Sequence, residues 1–302
     1  MMHSSPIHSK QVPEGSNAVF SIVIPTWNNL EYLQLCVKSI RKNSSLKHQI
    51  ILHINEGKDG TLPWAISQPD ISFTYSSNNI GICYAVNSAA ALANTNYIVF
   101  LNDDMYLCPE WDLHLVREIQ KIGHDHFFLS GTAIEPNSNN NCFISANFGS
   151  TPKDFDEFGL LSNYNKLKGS DWLGATWPPN IVHRKLWEAV GGYSTEFSPG
   201  MYSDPDFSMK LWQAGVRYFK GVSESRAYHF GSVSTKKIKR NKGHYQFLSK
   251  WGISASTFTK YYLKRGLPFD GQLVEPRLSL SVKLKNAWKR LALVTAPVSA
   301  QL

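Results

Sequence analysis

Short apolar runs alternate with stretches of helical spacing over the first third of the chain. Phe20–Pro25 (FSIVIP) is β-branched, apolar and closed by proline, which predicts a buried strand. From Leu30 to Arg41, apolar residues at 30, 33, 36, 37 and 40 mark one face of a helix. Gln49–Ile54, Ile71–Tyr75 and Tyr97–Leu101 (YIVFL) predict further strands, with a turn over Asn55–Gly60 and an Ala-rich helix over Gly81–Ala93. Strands and helices in this order imply right-handed crossovers and a mostly parallel sheet, an α/β fold. Ligands of such sheets bind beyond the carboxyl ends of the strands. Thr26–Asn29, Asn55–Asp59, Ser76–Asn79 and Asn102–Asp104 are therefore expected along one edge.

The rest of the chain is less periodic. Residues 1–17 read as an unstructured leader, Pro136–Asn141 as a loop, and Ser150–Lys168 as a long loop suited to covering a substrate. A helix is expected to end over Trp187–Val190 before the Gly191-Gly192 turn, and another to span Phe207–Ala214 with Gly215 as its stop. Lys236–Lys242 (KKIKRNK) reads as a basic loop. Leu280–Val294 carries apolar residues at 284, 287, 288, 291 and 294 among Lys283, Lys285, Lys289 and Arg290, a basic amphipathic stretch.

Composition narrows the function classes. With 42% hydrophobic residues the chain can build a core, and its longest clean apolar run, Tyr97–Leu101, is too short to cross a bilayer. No secretory signal is read in residues 1–16, and four scattered cysteines (36, 83, 108, 142) suit a reduced, cytoplasmic protein without a disulfide framework. The net charge of +8 suggests nucleic acid or membrane until it is split. Residues 1–219 hold 15 Lys/Arg and 20 Asp/Glu, net −5, whereas residues 220–302 hold 16 and 3, net +13. An acidic body with a basic tail, lacking any recognisable nucleic-acid module, argues against nucleic acid as partner. The tail is left with two readings: docking on anionic lipid, or a helix packed on the body with a solvated basic face.

Three features carry candidate chemistry. Asp103-Asp104 follows a buried strand directly. Two adjacent carboxylates repel, so the pair is either a solvated turn or a holder of a hard divalent cation and its phosphates. Asp204-Pro205-Asp206 opens a helix and taken alone reads as an N-terminal cap. His229, after Ala227-Tyr228, taken alone reads as a structural histidine. Trp172 and Trp177 in DWLGATWPPN are either core or exposed aromatics that stack on a ligand.

Their order along the chain resembles the family 2 glycosyltransferases. FSIVIPTWNN (20–29) is similar to that family's opening strand and nucleotide loop, INEGKDGT (54–61) to VDNGSTDGT, and NIGICYAVN (79–87) to NxGxxxAxN. YIVFLNDD (97–104) resembles the strand bearing the DxD-type motif, with Asn102 in place of the first Asp. The stretch 191–215 (GGYSTEF…YSDPDFSMKLWQAG) resembles GGFDExF…EDxDLxxRxxxxG with Ser203 for the usual Glu, and YHFGSVS (228–234) resembles the closing HxxxxS segment.

The resemblance implies a GT-A fold with a Rossmann-like sheet over residues 18–252, divided into a nucleotide half (18–105) and an acceptor half (106–252), then a basic helical extension over 253–302. It implies an inverting transferase that takes a sugar from a nucleoside-diphosphate sugar to a glycan or lipid-linked acceptor, as in cell-envelope polysaccharide or lipopolysaccharide assembly. Such an enzyme would sit in the cytoplasm or peripherally on the cytoplasmic face of the inner membrane. Pro25, Thr26, Asn28, Asn55, Glu56, Asn79, Gly81 and Asp103 would bind the donor, Asp104 and His229 a Mg2+ or Mn2+ ion, and Asp204 would be the base. Trp172, Trp177 and Asp206 would face the acceptor. The other reading of the same resemblance is a carbohydrate- or nucleotide-binding relative without turnover.

Overall fold

The computed structural model describes residues 7–13, 17–231 and 242–295. Its centre is an 11-stranded mixed sheet. Strands β2 (Phe20–Trp27), β3 (Gln49–Asn55), β4 (Ile71–Ser76) and β5 (Tyr97–Phe100) are mutually parallel in the order β4-β3-β2-β5, with β1 (Ile7–Lys10) antiparallel on β4. The expected unstructured leader is thus corrected in part, because Ile7–Lys10 extends the sheet through backbone pairing that its polar side chains do not announce.

Beyond β5 the sheet becomes mixed. β10 (Asn180–His183) runs antiparallel between β5 and β7 (Phe127–Glu135). β11 (Tyr218–His229) is parallel to β7, and β6 (Met105–Leu107) closes the far edge antiparallel to β11. Two small strands, β8 (Phe143–Ser145) and β9 (Trp172–Leu173), attach to β7 and β11.

Alternation along β2 explains the two layers. Phe20, Ile22 and Ile24 pack with Leu33, Cys36, Val37 and Ile40 of α1 (Leu30–Asn43) and with Trp111 and Leu115 of α4 (Trp111–Ile122). Val23 joins the opposite layer. There α3 (Ile82–Ala90), α6 (Arg184–Val190) and α7 (Ser203–Gln213) bury Val86, Trp187 and Phe207 with Phe247 of α8 (Gly243–Trp251). Each such side chain taken fully from water is worth about 1.5–3 kcal/mol, so these two layers dominate the stability of the sheet.

Short helices account for the remaining differences from the sequence reading. Thr61–Ser67 forms α2 beyond the turn after β3. The expected loop Ser150–Lys168 contains α5 (Glu157–Asn163). There Glu157 receives Lys38 and Lys42, both at 2.8 Å, and the Tyr106 hydroxyl at 2.6 Å. Partners so distant in sequence leave no local signal. Near the C-terminus, the one-turn helix α9 (Ala255–Thr257) and a π-helical turn (Phe258–Tyr262) lead to α10 (Leu280–Thr295). Residues 236–241 of the expected basic loop, and 232–234 of the closing motif, lie outside the described residues.

Candidate active site

The reversal of strand order at β2, with β3 and β4 on one side and β5 on the other, opens a crevice at the carboxyl ends of β2 and β5. Pro25, with no N–H to offer, stands past the last β2–β5 pair, Val23 with Phe100, where the strands part. The Asp103-Asp104 segment fills the gap between β5 and β6. Both residues are buried, 5% and 4% exposed, which overturns the solvated-turn reading. The Thr26 hydroxyl donates to Asp103 Oδ2 at 2.7 Å. Burial, reinforced by the neighbouring charge of Asp104, nevertheless pushes Asp103 up to about 7. This corner favours added positive charge.

Strand register supplies the next group. β11 pairs His229 with Met105, and its parallel register on β7 sets Tyr228 beside Ile134. His229 therefore lies between Asp104 on one side and Glu135 on the other. Its Nδ1 meets Glu135 Oε1 at 2.5 Å. Its Nε2 is buried, stands 3.3 Å from Asp104 Oδ1 and makes no well-formed hydrogen bond. Burial alone would discharge the ring, but the two carboxylates outweigh it and raise His229 to about 10. An imidazole nitrogen next to a buried carboxylate oxygen, with its other nitrogen held by a second carboxylate, fits a divalent cation that would take the place of the Nε2 proton. Among the described residues no group of three or more His, Cys, Asp or Glu forms a complete cage, so two protein ligands plus donor phosphates is the arrangement these residues suit.

Loops on the other side of the crevice are tied to one another. Asn28, at φ 46°, donates through Nδ2 to Glu56 Oε2 at 3.1 Å and accepts from Lys58 N at 2.8 Å. Burial raises Glu56, but Asn28 and Lys58 hold its carboxyl below the ordinary value. Asn55 Oδ1 accepts from Ile80 N at 2.9 Å, so part of the amide expected at the donor serves the loop after β4. Asn79 Oδ1 accepts from Gly81 N in the same loop. Gly81 has φ 79°, and a Cβ there would meet Ser198 and, at 3.0 Å, Pro199 Cα. That contact brings the segment before α7 to the carboxyl edge.

Asp204 lies in the first turn of α7, half-buried. The Tyr193 hydroxyl donates to its Oδ1 at 3.1 Å. Burial lifts Asp204 to about 6 against the pull of Tyr193 and the Arg265 charge. Tyr193 is fixed from α3, where Asn87 Nδ2 donates to Tyr193 O at 2.7 Å and Asn87 Oδ1 accepts from Tyr193 N at 2.8 Å. The asparagine of the AxN motif and the aromatic residue after Gly-Gly thus act together on this carboxylate.

Two of the expected acceptor-side residues serve the interior instead. Trp172 is 2% exposed, lies against Gly221 and donates from Nε1 to Thr132 at 3.0 Å. Asp206 is fully buried and takes Trp251 Nε1 at 2.8 Å and Lys250 Nζ at 3.0 Å. Trp177 remains half-buried, with the Arg265 guanidinium 4.8 Å from its ring centre. Glu135, Tyr193 and Arg265 were given no role by the sequence, because each acts through strands or loops far away in the chain.

The sequence model described as Glycosyl transferase family 2 matches residues 21–171, half of the chain. The chain belongs to that family. No curated protein gives a significant sequence match. Among solved structures, residues 1–349 of S. aureus TarS in complex with UDP-GlcNAc superpose with a TM-score of 0.56 at 14% identity, over 91% of this chain and 72% of that one. GalNAc-T7 with UDP, GalNAc and Mn2+ gives 0.57 at 15% identity, over 95% of this chain and 57% of that one. At such identities the likeness establishes the fold: the family 2 glycosyltransferase has the GT-A architecture. Its candidate site lies where β2 and β5 part.

Proposed function

We propose that this glycosyltransferase inverts configuration as it moves a sugar from a nucleoside-diphosphate sugar to a hydroxyl of a glycan or lipid-linked acceptor, in the synthesis of cell-envelope polysaccharide or lipopolysaccharide at the cytoplasmic side of the membrane. The observation that carries the reading is the buried Asp104–His229 pair at the carboxyl edge of the sheet, together with a separately held carboxylate, Asp204, whose pKa is raised by burial. The UDP-GlcNAc complex of TarS supports a nucleotide-sugar donor, and the Mn2+ complex of GalNAc-T7 supports a cation.

Each residue has a defined task in this reading. Pro25, Thr26, Asn28, Asn55, Glu56, Asn79, Gly81 and Asp103 shape the donor cleft. Asp104 and His229 would hold Mn2+ or Mg2+, which when bound offsets the charge growing on the departing diphosphate. Asp204 accepts the proton of the acceptor hydroxyl as it attacks from the face opposite the leaving group. Tyr193 holds Asp204 in place, and Trp177 offers a ring to the acceptor sugar. A panel of nucleoside-diphosphate sugars with Mn2+ or Mg2+, read by nucleoside-diphosphate release, tests the reading. Donor binding without turnover across the panel would leave a carbohydrate- or nucleotide-binding relative in its place.

Two expected outcomes concern residues that hold others. With Asp204 raised to about 6, kcat falls as pH drops through that value, because the protonated carboxyl accepts nothing. Tyr193→Phe removes a hydrogen bond to the ionised form, so this acidic limb moves upward by about 1 pH unit. An unmoved limb separates Asp204 from the proton transfer. Glu135→Gln weakens the hold on His229 Nδ1, so calorimetry should show Mn2+-dependent UDP affinity reduced about 10–100-fold, as for other lost outer-shell partners. UDP binding without metal should stay the same, and equal loss in both would make Glu135 a general structural residue.

A further inference from the structure

Helix α10 is mounted with its apolar side outward. It is latched to the body by Asn286, 4% exposed, whose Oδ1 accepts from Ser254 N at 2.9 Å and from Thr257 Oγ1 at 3.1 Å. Arg290 lies against Gly252. At about 3.6 residues per turn, Leu280, Leu284, Trp288 and Leu291 fall on the side away from Asn286. They are exposed by 72%, 60%, 72% and 61%. The same geometry sets Lys283 and Arg290 along one border of this stripe and Lys285 and Lys289 along the other. The described helix contains no acidic residue. A helix present only to pack on the body would turn Trp288 and its neighbours inward, whereas this one presents them to solvent between two rows of cations.

We propose that this face docks on an anionic bilayer. The helix lies in the plane of the interface, with Leu280, Leu284, Trp288 and Leu291 at the acyl boundary and Lys283, Lys285 and Lys289 on lipid phosphates. Charge selects lipid over a protein partner: residues 253–302 hold 8 Lys/Arg against 2 Asp/Glu, and the apolar stripe is flanked by positive charge on both sides. No described helix is long and apolar enough to cross a membrane, so the attachment is to one leaflet. The inference does not depend on the transfer chemistry proposed above.

Co-sedimentation of the full chain with phosphatidylcholine vesicles, with and without phosphatidylglycerol, tests it. The protein should pellet with the phosphatidylglycerol vesicles, stay in solution with phosphatidylcholine alone, and be released by salt. Lys283→Gln with Lys285→Gln should weaken partitioning about 30-fold, two lysines at about 1 kcal/mol each. Leu284→Ser with Trp288→Ser should abolish it while circular dichroism and UDP binding stay unchanged. Equal soluble fractions with both vesicle types would overturn the proposal. So would a concentration-dependent dimer, without vesicle binding, that the Leu284→Ser, Trp288→Ser variant dissolves, since that would assign the face to a second copy of the chain.

Discussion

Asp204→Asn is expected to bind donor like the parent protein and to lose transfer by roughly two to four powers of ten, the range for removing a positioned base. Asparagine keeps the shape of the side chain and can still take the Tyr193 hydroxyl on its carbonyl oxygen, so the first turn of α7 need not move. Stability separates this outcome from unfolding. A carboxyl raised from 3.8 to about 6 in the folded protein stabilises the fold below its free value, and that contribution is lost as pH rises through about 6. At pH 8 the ionised Asp204 therefore works against folding, and the asparagine variant should melt at the same or a higher temperature. Full transfer activity in the variant would remove Asp204 from the role of base. A lowered melting temperature with lost donor binding would mean that the residue holds the site together.

Asp104→Ala should abolish cation-dependent nucleotide binding. Calorimetric titration of UDP in the presence of Mn2+ should show affinity down by more than about 100-fold, beyond the loss expected for an outer-shell residue. The reason lies in the geometry: Asp104 Oδ1 and His229 Nε2 stand 3.3 Å apart, and the alanine leaves one protein ligand where two are needed. Removal of the carboxylate also relieves Asp103, whose carboxyl is raised in part by that neighbouring charge. The variant should therefore stay folded. Unchanged affinity would show that the pair does not hold a cation.

Residues 18–105 were legible because their signals are local. FSIVIP and YIVFL are short, continuously apolar runs that pair with each other as buried strands, and the polar residues after them reach the same edge. Residues 106–252 were less so. The helix over 157–163 sits in a polar stretch and is fixed by Lys38 and Lys42 from α1, partners no window of sequence can show. Asp206 and Trp172 carry chemistry-bearing side chains in suggestive places, yet Lys250, Trp251 and Thr132 claim them for the interior. Glu135 was invisible for the same reason. It comes 94 residues before its histidine, and only the parallel register of β7 and β11 joins them.

The strand Ile7–Lys10 bears on how the protein can be handled. It shields the backbone of β4, the last parallel strand on that flank, and its own side chains remain largely exposed. Cutting the chain before residue 13 would uncover the N–H and C=O groups along Phe73–Ser76, a ready template for a strand from another molecule. Shortened versions should therefore self-associate by strand exchange although their catalytic edge is intact. Turbidity on concentration would then report a lost edge cover, unrelated to the lipid-facing helix at the other end of the chain.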